Sequence, residues 1–119
     1  MKNFMLIFSL CLLVSCTSKN DRPEGVLKPE KMQDVFWDYI RADVYVSEFM
    51  KNDSSKNPDL ENARLQEKIF KLHHITREDF NKSYTWYTNH KEFMTALMDS
   101  MIIRKQRELN KPKNPSQYE

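Results

Sequence analysis

A single glycine, Gly25, stands among 119 residues. Tight hairpin turns need residues at positive φ repeatedly, and glycine takes that conformation without steric cost. A chain this poor in glycine is not a multi-hairpin β protein. The same scarcity removes the glycine-cradle chemistries: no phosphate loop, dinucleotide fingerprint or nucleophile elbow can be read. The length bounds the chain at one domain. The net charge of +2 is too balanced to imply a nucleic-acid partner.

Residues 1–15, MKNFMLIFSLCLLVS, carry Lys2 and then an apolar run from Phe4 to Val14. At about 11 residues the run is too short to span a bilayer, and it has the order of a secretory signal. The quartet Leu13-Val14-Ser15-Cys16 then resembles the lipobox of bacterial lipoproteins. That resemblance implies a diacyl thioether on Cys16, cleavage before it, and acylation of the new amine. An ordinary signal with a chance cysteine is the plainer alternative. Two or three acyl chains attach a protein stably to a membrane, at roughly 0.8 kcal/mol per buried methylene. Thr17, where retained inner-membrane lipoproteins often carry Asp, points by resemblance to an outer membrane, and its periplasmic side is the expected one. Lys19-Asn20-Asp21 only partly matches the lysine-and-acids pattern of surface-exported lipoproteins, so the cell surface is the alternative. Removing 15 of 119 residues leaves 104, with Cys11 lost and Cys16 lipidated. No disulfide can then staple the domain, and aliphatic and aromatic packing must hold it.

Residues 16–28 are mostly polar, contain Pro23 and Gly25 and show no period, which predicts a lipidated cysteine on a flexible tether. A helical domain is expected over 29–111 and a loose tail over 112–119. The first helix opens at Pro29-Glu30 and carries Met32, Val35, Phe36, Tyr39, Ala42, Val46, Phe49 and Met50 on one stripe, ending near Lys51. The second is capped by Asn57 with Pro58 behind it, and stops around His73-His74-Ile75. The third opens at Thr76-Arg77-Glu78-Asp79, close to a capping box, with Phe80, Ser83, Tyr84 and Tyr87 marking its buried face. Asn89-His90-Lys91-Glu92 reads as another box, opening a fourth helix with Phe93, Met94, Leu97, Met98, Met101 and Ile102 as its stripe. The expected fold is all-α, a small bundle of about four helices in which the first and fourth are the longer.

A lipobox is thus followed by Val26-Leu27-Lys28-Pro29-Glu30-Lys31-Met32, by Asp38-Tyr39-Ile40-Arg41-Ala42-Asp43, and by Ile75-Thr76-Arg77-Glu78-Asp79-Phe80-Asn81-Lys82-Ser83-Tyr84 leading into Trp86-Tyr87. That ordered set resembles a family of small Bacteroidetes lipoproteins, domain-of-unknown-function family 4296, across residues 26–104. The family often has two tyrosines where this chain has Trp86-Tyr87. The resemblance implies a helical, lipid-anchored protein and brings no catalytic residues with it. The stretch from His74 to Phe80 is also similar to helix openings in the chaperone portions of periplasmic peptidyl-prolyl isomerases, an analogy of fold alone.

Few residues suggest chemistry. His73 and His74 are adjacent, so on a helix they point about 100° apart and do not chelate one ion. His90 lies at another helix opening, and no metal or cofactor is expected. Asp34 and Asp38 share a face with Arg41, as a paired acid–base set or, more plainly, a solvated stripe. Asp43 lies in a mostly apolar stretch; if semi-buried it needs a donor, with Tyr84, Trp86 or Arg41 as the expected candidates. Tyr84, Trp86, Tyr87, Phe80, Trp37, Tyr39 and Tyr45 are core aromatics or the lining of a groove for peptide or glycan. Trp37 and Trp86 fall off their stripes, and with Tyr87 they are the candidate partner-binding residues. Arg104, Lys105 and Arg107 are candidates for contact with an anionic surface, or compensate the helix dipole.

These features point to a non-catalytic adaptor or accessory subunit, held at the membrane by lipid on Cys16 and docked on another envelope protein through residual apolar surface. The alternative is a small chaperone-like binder of unfolded outer-membrane or secreted chains. An enzyme ranks third. It needs a pocket gathering Asp43, a histidine and a tyrosine.

Overall fold

The computed structural model describes residues 22–112. The expected signal peptide, Cys16 and the tail beyond Pro112 lie outside the described residues. Within them the chain forms four α-helices and no strand, the all-α bundle expected.

Helix α1 (Pro29–Tyr45) starts where Pro29 supplies a preset φ and needs no N–H partner, with Glu30 in the first turn against the positive end of the dipole. It runs into a π-helical turn, Val46–Met50, before Lys51. The wider turn breaks the register of the apolar stripe. Val46 stays buried, while Phe49 swings out to 73% exposure against Tyr45, 5.6 Å away between ring centroids. The expectation that Phe49 faces the core is corrected by that slip.

Helix α2 (Pro58–Leu72) is capped as expected, with Asn57 Oδ1 accepting from the Leu60 N–H at 3.2 Å. Its far end closes in a Schellman arrangement: the Ile75 N–H donates to the Phe70 carbonyl and the His74 N–H to that of Lys71. The motif places His74 at φ +55, a conformation that glycine accepts more readily. Helix α3 (Arg77–Asn89) follows from the capping box. Thr76 Oγ1 accepts from the Asp79 N–H at 3.0 Å, and Asp79 Oδ2 accepts from the Thr76 N–H at 2.9 Å.

Helix α4 (Lys91–Leu109) begins one residue after α3 ends. This corrects the box expected at Asn89–Glu92: Asn89 is the last residue of α3, and His90 occupies the cap position with no side-chain cap bond. The His90 imidazole instead turns back on α3, its Nδ1 2.7 Å from the Trp86 carbonyl oxygen and its ring stacked 4.2 Å from Trp86.

One contiguous core joins the four helices: Met32, Val35 and Phe36 of α1, Phe70 of α2, Phe80 and Tyr87 of α3, and Leu97 and Met101 of α4. Val26 belongs to it too, which corrects the flexible tether over residues 22–28. That segment is a strap laid along α3. The Leu27 N–H donates to Ser83 Oγ at 2.9 Å, the Tyr87 hydroxyl donates to the Leu27 carbonyl, and Lys82 Nζ donates to the Glu24 carbonyl at 3.2 Å. Gly25 turns the strap at φ +85, and a Cβ there would meet Lys82 Nζ at 2.6 Å. The one glycine stands where the backbone angle requires it, the Lys82 ammonium being the movable end of a flexible side chain.

Candidate functional site

Phe80 is the centre of an aromatic cluster drawn from three helices. Its ring lies 4.7 Å from Tyr39, 5.2 Å from Phe70, 6.0 Å from Tyr84 and 6.5 Å from Phe36. Helical spacing explains the assembly: Phe36, Tyr39, Ile40 and Asp43 fall on one face of α1, and Phe80, Asn81 and Tyr84 on the facing side of α3. Phe70 closes the cluster from below, but Tyr84, at 41% exposure, does not complete the cover. A groove of ≈ 420 Å³ is left between α1 and α3, lined by Phe36, Tyr39, Ile40, Asp43, Phe80, Asn81 and Tyr84. That size and its mix of ring faces with a few polar groups suit a recognition site.

The polar members are held in place. Tyr39 accepts from Gln66 Nε2 at 3.2 Å, and Gln66 Oε1 in turn accepts from Arg77 at 2.8 Å. Arg77 also bonds Glu67 at 2.9 Å and lies over the Phe70 ring at 5.3 Å. Asp43 is exposed rather than semi-buried. Its donor is none of the three expected: Asn62 Nδ2 reaches Asp43 Oδ1 at 3.1 Å. The Asn62 amide is oriented by that bond at the expense of its own Oδ1, which is buried with no hydrogen-bond partner among the described residues. An unsatisfied buried acceptor costs roughly 1–3 kcal/mol, so a charge-assisted bond to Asp43 decides which way the amide points.

The residues singled out from sequence lie elsewhere. Tyr87 is 1% exposed and bonded to the strap, which corrects its assignment as a partner-binding residue: the ring is spent on the core. Burial also pushes its phenol above the ordinary tyrosine value. Trp37 and Trp86 are half-buried against the core. Trp86 packs at the α3–α4 corner, 5.0 Å from Tyr87 and 5.1 Å from Phe93, away from the groove lining. Tyr84, expected on the buried face of α3, is the ring that reaches the surface.

Arg104 and Lys105 turn towards α1 rather than outwards. Arg104 donates to Gln33 Oε1 at 2.7 Å and to Asp34 Oδ1 at 3.1 Å, while Lys105 Nζ lies 3.6 Å from Asp34 and 3.1 Å from Glu108. Both cations are thus paired with carboxylates, while Arg107 is exposed. Asp34 and Asp38 are likewise separated, Asp38 pairing with His73 Nε2 at 2.8 Å across the α1–α2 contact and with Arg41 at 3.8 Å. Phe36, Ile40 and Asn81 were not singled out. The i, i+4 pair Phe36–Ile40, in step with Asp43, was the available signal.

The groove thus gathers Asp43 with Tyr39 and Tyr84, and its lining includes no histidine. Among the described residues no group of three or more His, Cys, Asp or Glu is placed to hold a metal ion, and no helix is long and apolar enough to cross a membrane. No curated protein and no solved structure matches the chain. Residues 23–111, from the strap through the last helix, match a family model described as Domain of unknown function (DUF4296), and the chain belongs to that family.

Proposed function

We propose that this is a lipid-anchored envelope protein working as a non-catalytic adaptor, tethered through Cys16 and seating part of another envelope protein in the groove between α1 and α3. The lipobox resemblance at Leu13–Cys16 supports the anchor and Thr17 an outer membrane, while the partial match of Lys19-Asn20-Asp21 to the surface-export pattern favours the periplasmic face. The observation that carries the binding half is Tyr84. It is a large aromatic ring 41% exposed at the mouth of a groove whose other rings are fixed by packing. Rigid aromatic anchors that lose little entropy on binding dominate interfaces of this kind. The strap supports the same reading, because it fastens the chain leading from Cys16 to α3, the helix that presents Tyr84.

A photo-crosslinking residue in place of Asn81, in the full protein in its native envelope, tests this together with intact-mass measurement of the purified chain. The expected result is one crosslinked partner at fixed stoichiometry, lost in Tyr84→Ala, on a chain that begins at an acylated Cys16. Many unrelated clients at that position would favour the chaperone-like reading. A chain that keeps residues 1–15 would remove the anchor.

A further inference from the structure

Resting on the reading that this groove binds a partner, we propose that its occupant is an arginine side chain of a polypeptide segment, with the guanidinium seated between the ring faces and Asp43. The lining has a definite electrostatic character. Half-buried Tyr39 and the 41% exposed Tyr84 offer ring surface that attracts cations, with Phe36 and Phe80 buried behind them, and Asp43 is the one charged residue among those lining the groove. An apolar side chain would desolvate the carboxylate and give nothing back. A neutral polar one would leave the ring faces without a matching charge. Arginine answers both, because its planar guanidinium stacks on aromatic faces and forks onto a carboxylate. A lysine ammonium is a compact, strongly hydrated point charge and lacks the plane.

The chain's own nearby arginines do not take the place. Arg41 pairs with Asp38 and Arg77 with Glu67 and Gln66, and neither lines the groove. Asn62 is a positioning residue: its amide nitrogen holds Asp43 Oδ1 and leaves the remaining lone pairs of the carboxylate for an incoming donor. A volume of ≈ 420 Å³ exceeds one guanidinium. Ile40 and Phe36 extend it as an apolar floor for the residues flanking the arginine.

The probes are the peptide acetyl-Ala-Leu-Arg-Leu-Ala-amide and its citrulline counterpart, which has the same shape without the charge. Both are titrated into the full-length protein in detergent micelles, with binding read from the ring signals of Tyr84 and Phe36. The arginine peptide is expected to shift those signals saturably and to bind about tenfold or more tighter than the citrulline peptide. Asp43→Asn should bring the arginine peptide down to the citrulline level and leave the citrulline peptide unchanged. Equal affinities for the two peptides overturn the arginine assignment while leaving the groove a binding site; that comparison needs no variant, so it survives one that fails to fold. Silent groove rings alongside a Tyr84-dependent crosslinked partner do the same. Silent rings with no such partner remove both readings. Concentration-dependent self-association that shields Tyr84 would put a second copy of the chain in the groove and overturn the proposal.

Discussion

The hydroxyl of Tyr87 donates to the carbonyl oxygen of Leu27 at 2.9 Å, joining positions 60 residues apart and fastening the strap to α3. Tyr87→Phe keeps the buried ring but removes this bond and the hydroxyl's interaction with Arg22, leaving the Leu27 carbonyl without its donor. Stability should fall by about 1 kcal/mol, read as a lower denaturant midpoint at unchanged slope. Residues 22–28 should also become easier to cleave by protease. A variant as stable and as resistant as the parent would show that Val26 and Ser83 hold the strap without Tyr87.

The same phenol sets an alkaline limit. Burial raises its folded-state value above the ordinary tyrosine value of 10.0, so the folded chain holds the proton more tightly than the unfolded one. The stabilisation is complete below the unfolded value and is lost as pH rises from there through the folded value. Denaturant midpoints should therefore drop above about pH 10, and less steeply in Tyr87→Phe. Parallel pH curves for the two proteins would contradict this.

Thr76→Ala removes half of the capping box that opens α3, and should cost about 1 kcal/mol. Hydrogen bonds from the Thr76 backbone and side chain hold the Asp79 carboxyl below its ordinary value of 3.8. Its contribution is present above that value and lost as pH falls through the lower folded one. The loss of stability under acid should be shallower in Thr76→Ala than in the parent protein, as followed by helical circular dichroism.

His74 adopts φ +55 to complete the Schellman turn after α2. His74→Gly should stabilise the protein by about 0.5–1 kcal/mol, because relief of the left-handed penalty at the helix end outweighs the added freedom of the unfolded chain. Thermal unfolding measures it directly. A destabilised variant would mean that the exposed imidazole makes a contribution its backbone strain conceals.

Gln33 is 4% exposed and its Oε1 accepts from Arg104. Arg104→Met keeps most of the side-chain volume but strands that acceptor, at a cost of about 2 kcal/mol. The loss should change only modestly between low and high salt, since the desolvated hydrogen bond to Gln33 outweighs the half-exposed ion pair with Asp34 that is removed with it. A strongly salt-dependent loss would assign the effect to Asp34 instead.

Much of the fold is written locally. Asn57-Pro58 and Thr76-Arg77-Glu78-Asp79 open helices because their side chains satisfy backbone N–H groups within three residues, whatever the rest of the chain does. The cap expected at Asn89 failed for the complementary reason. A one-residue connection lets α3 keep Asn89 and hands the junction to His90, whose partner is the Trp86 carbonyl. The strap was misread because Val26 and Leu27 have no period of their own; their partners Ser83 and Tyr87 lie more than fifty residues on.

By itself, then, the order of residues determined four helices, where most of them start and stop, and an all-α core. Each of those rests on contacts within a turn or two, or on periodicity that any buried face must show. Tertiary structure alone decided which aromatics remain open. Tyr84 and Tyr87 sit three residues apart on one helix. Yet the strap covers one and the gap between α1 and α3 uncovers the other, because exposure depends on which distant segment arrives at that face.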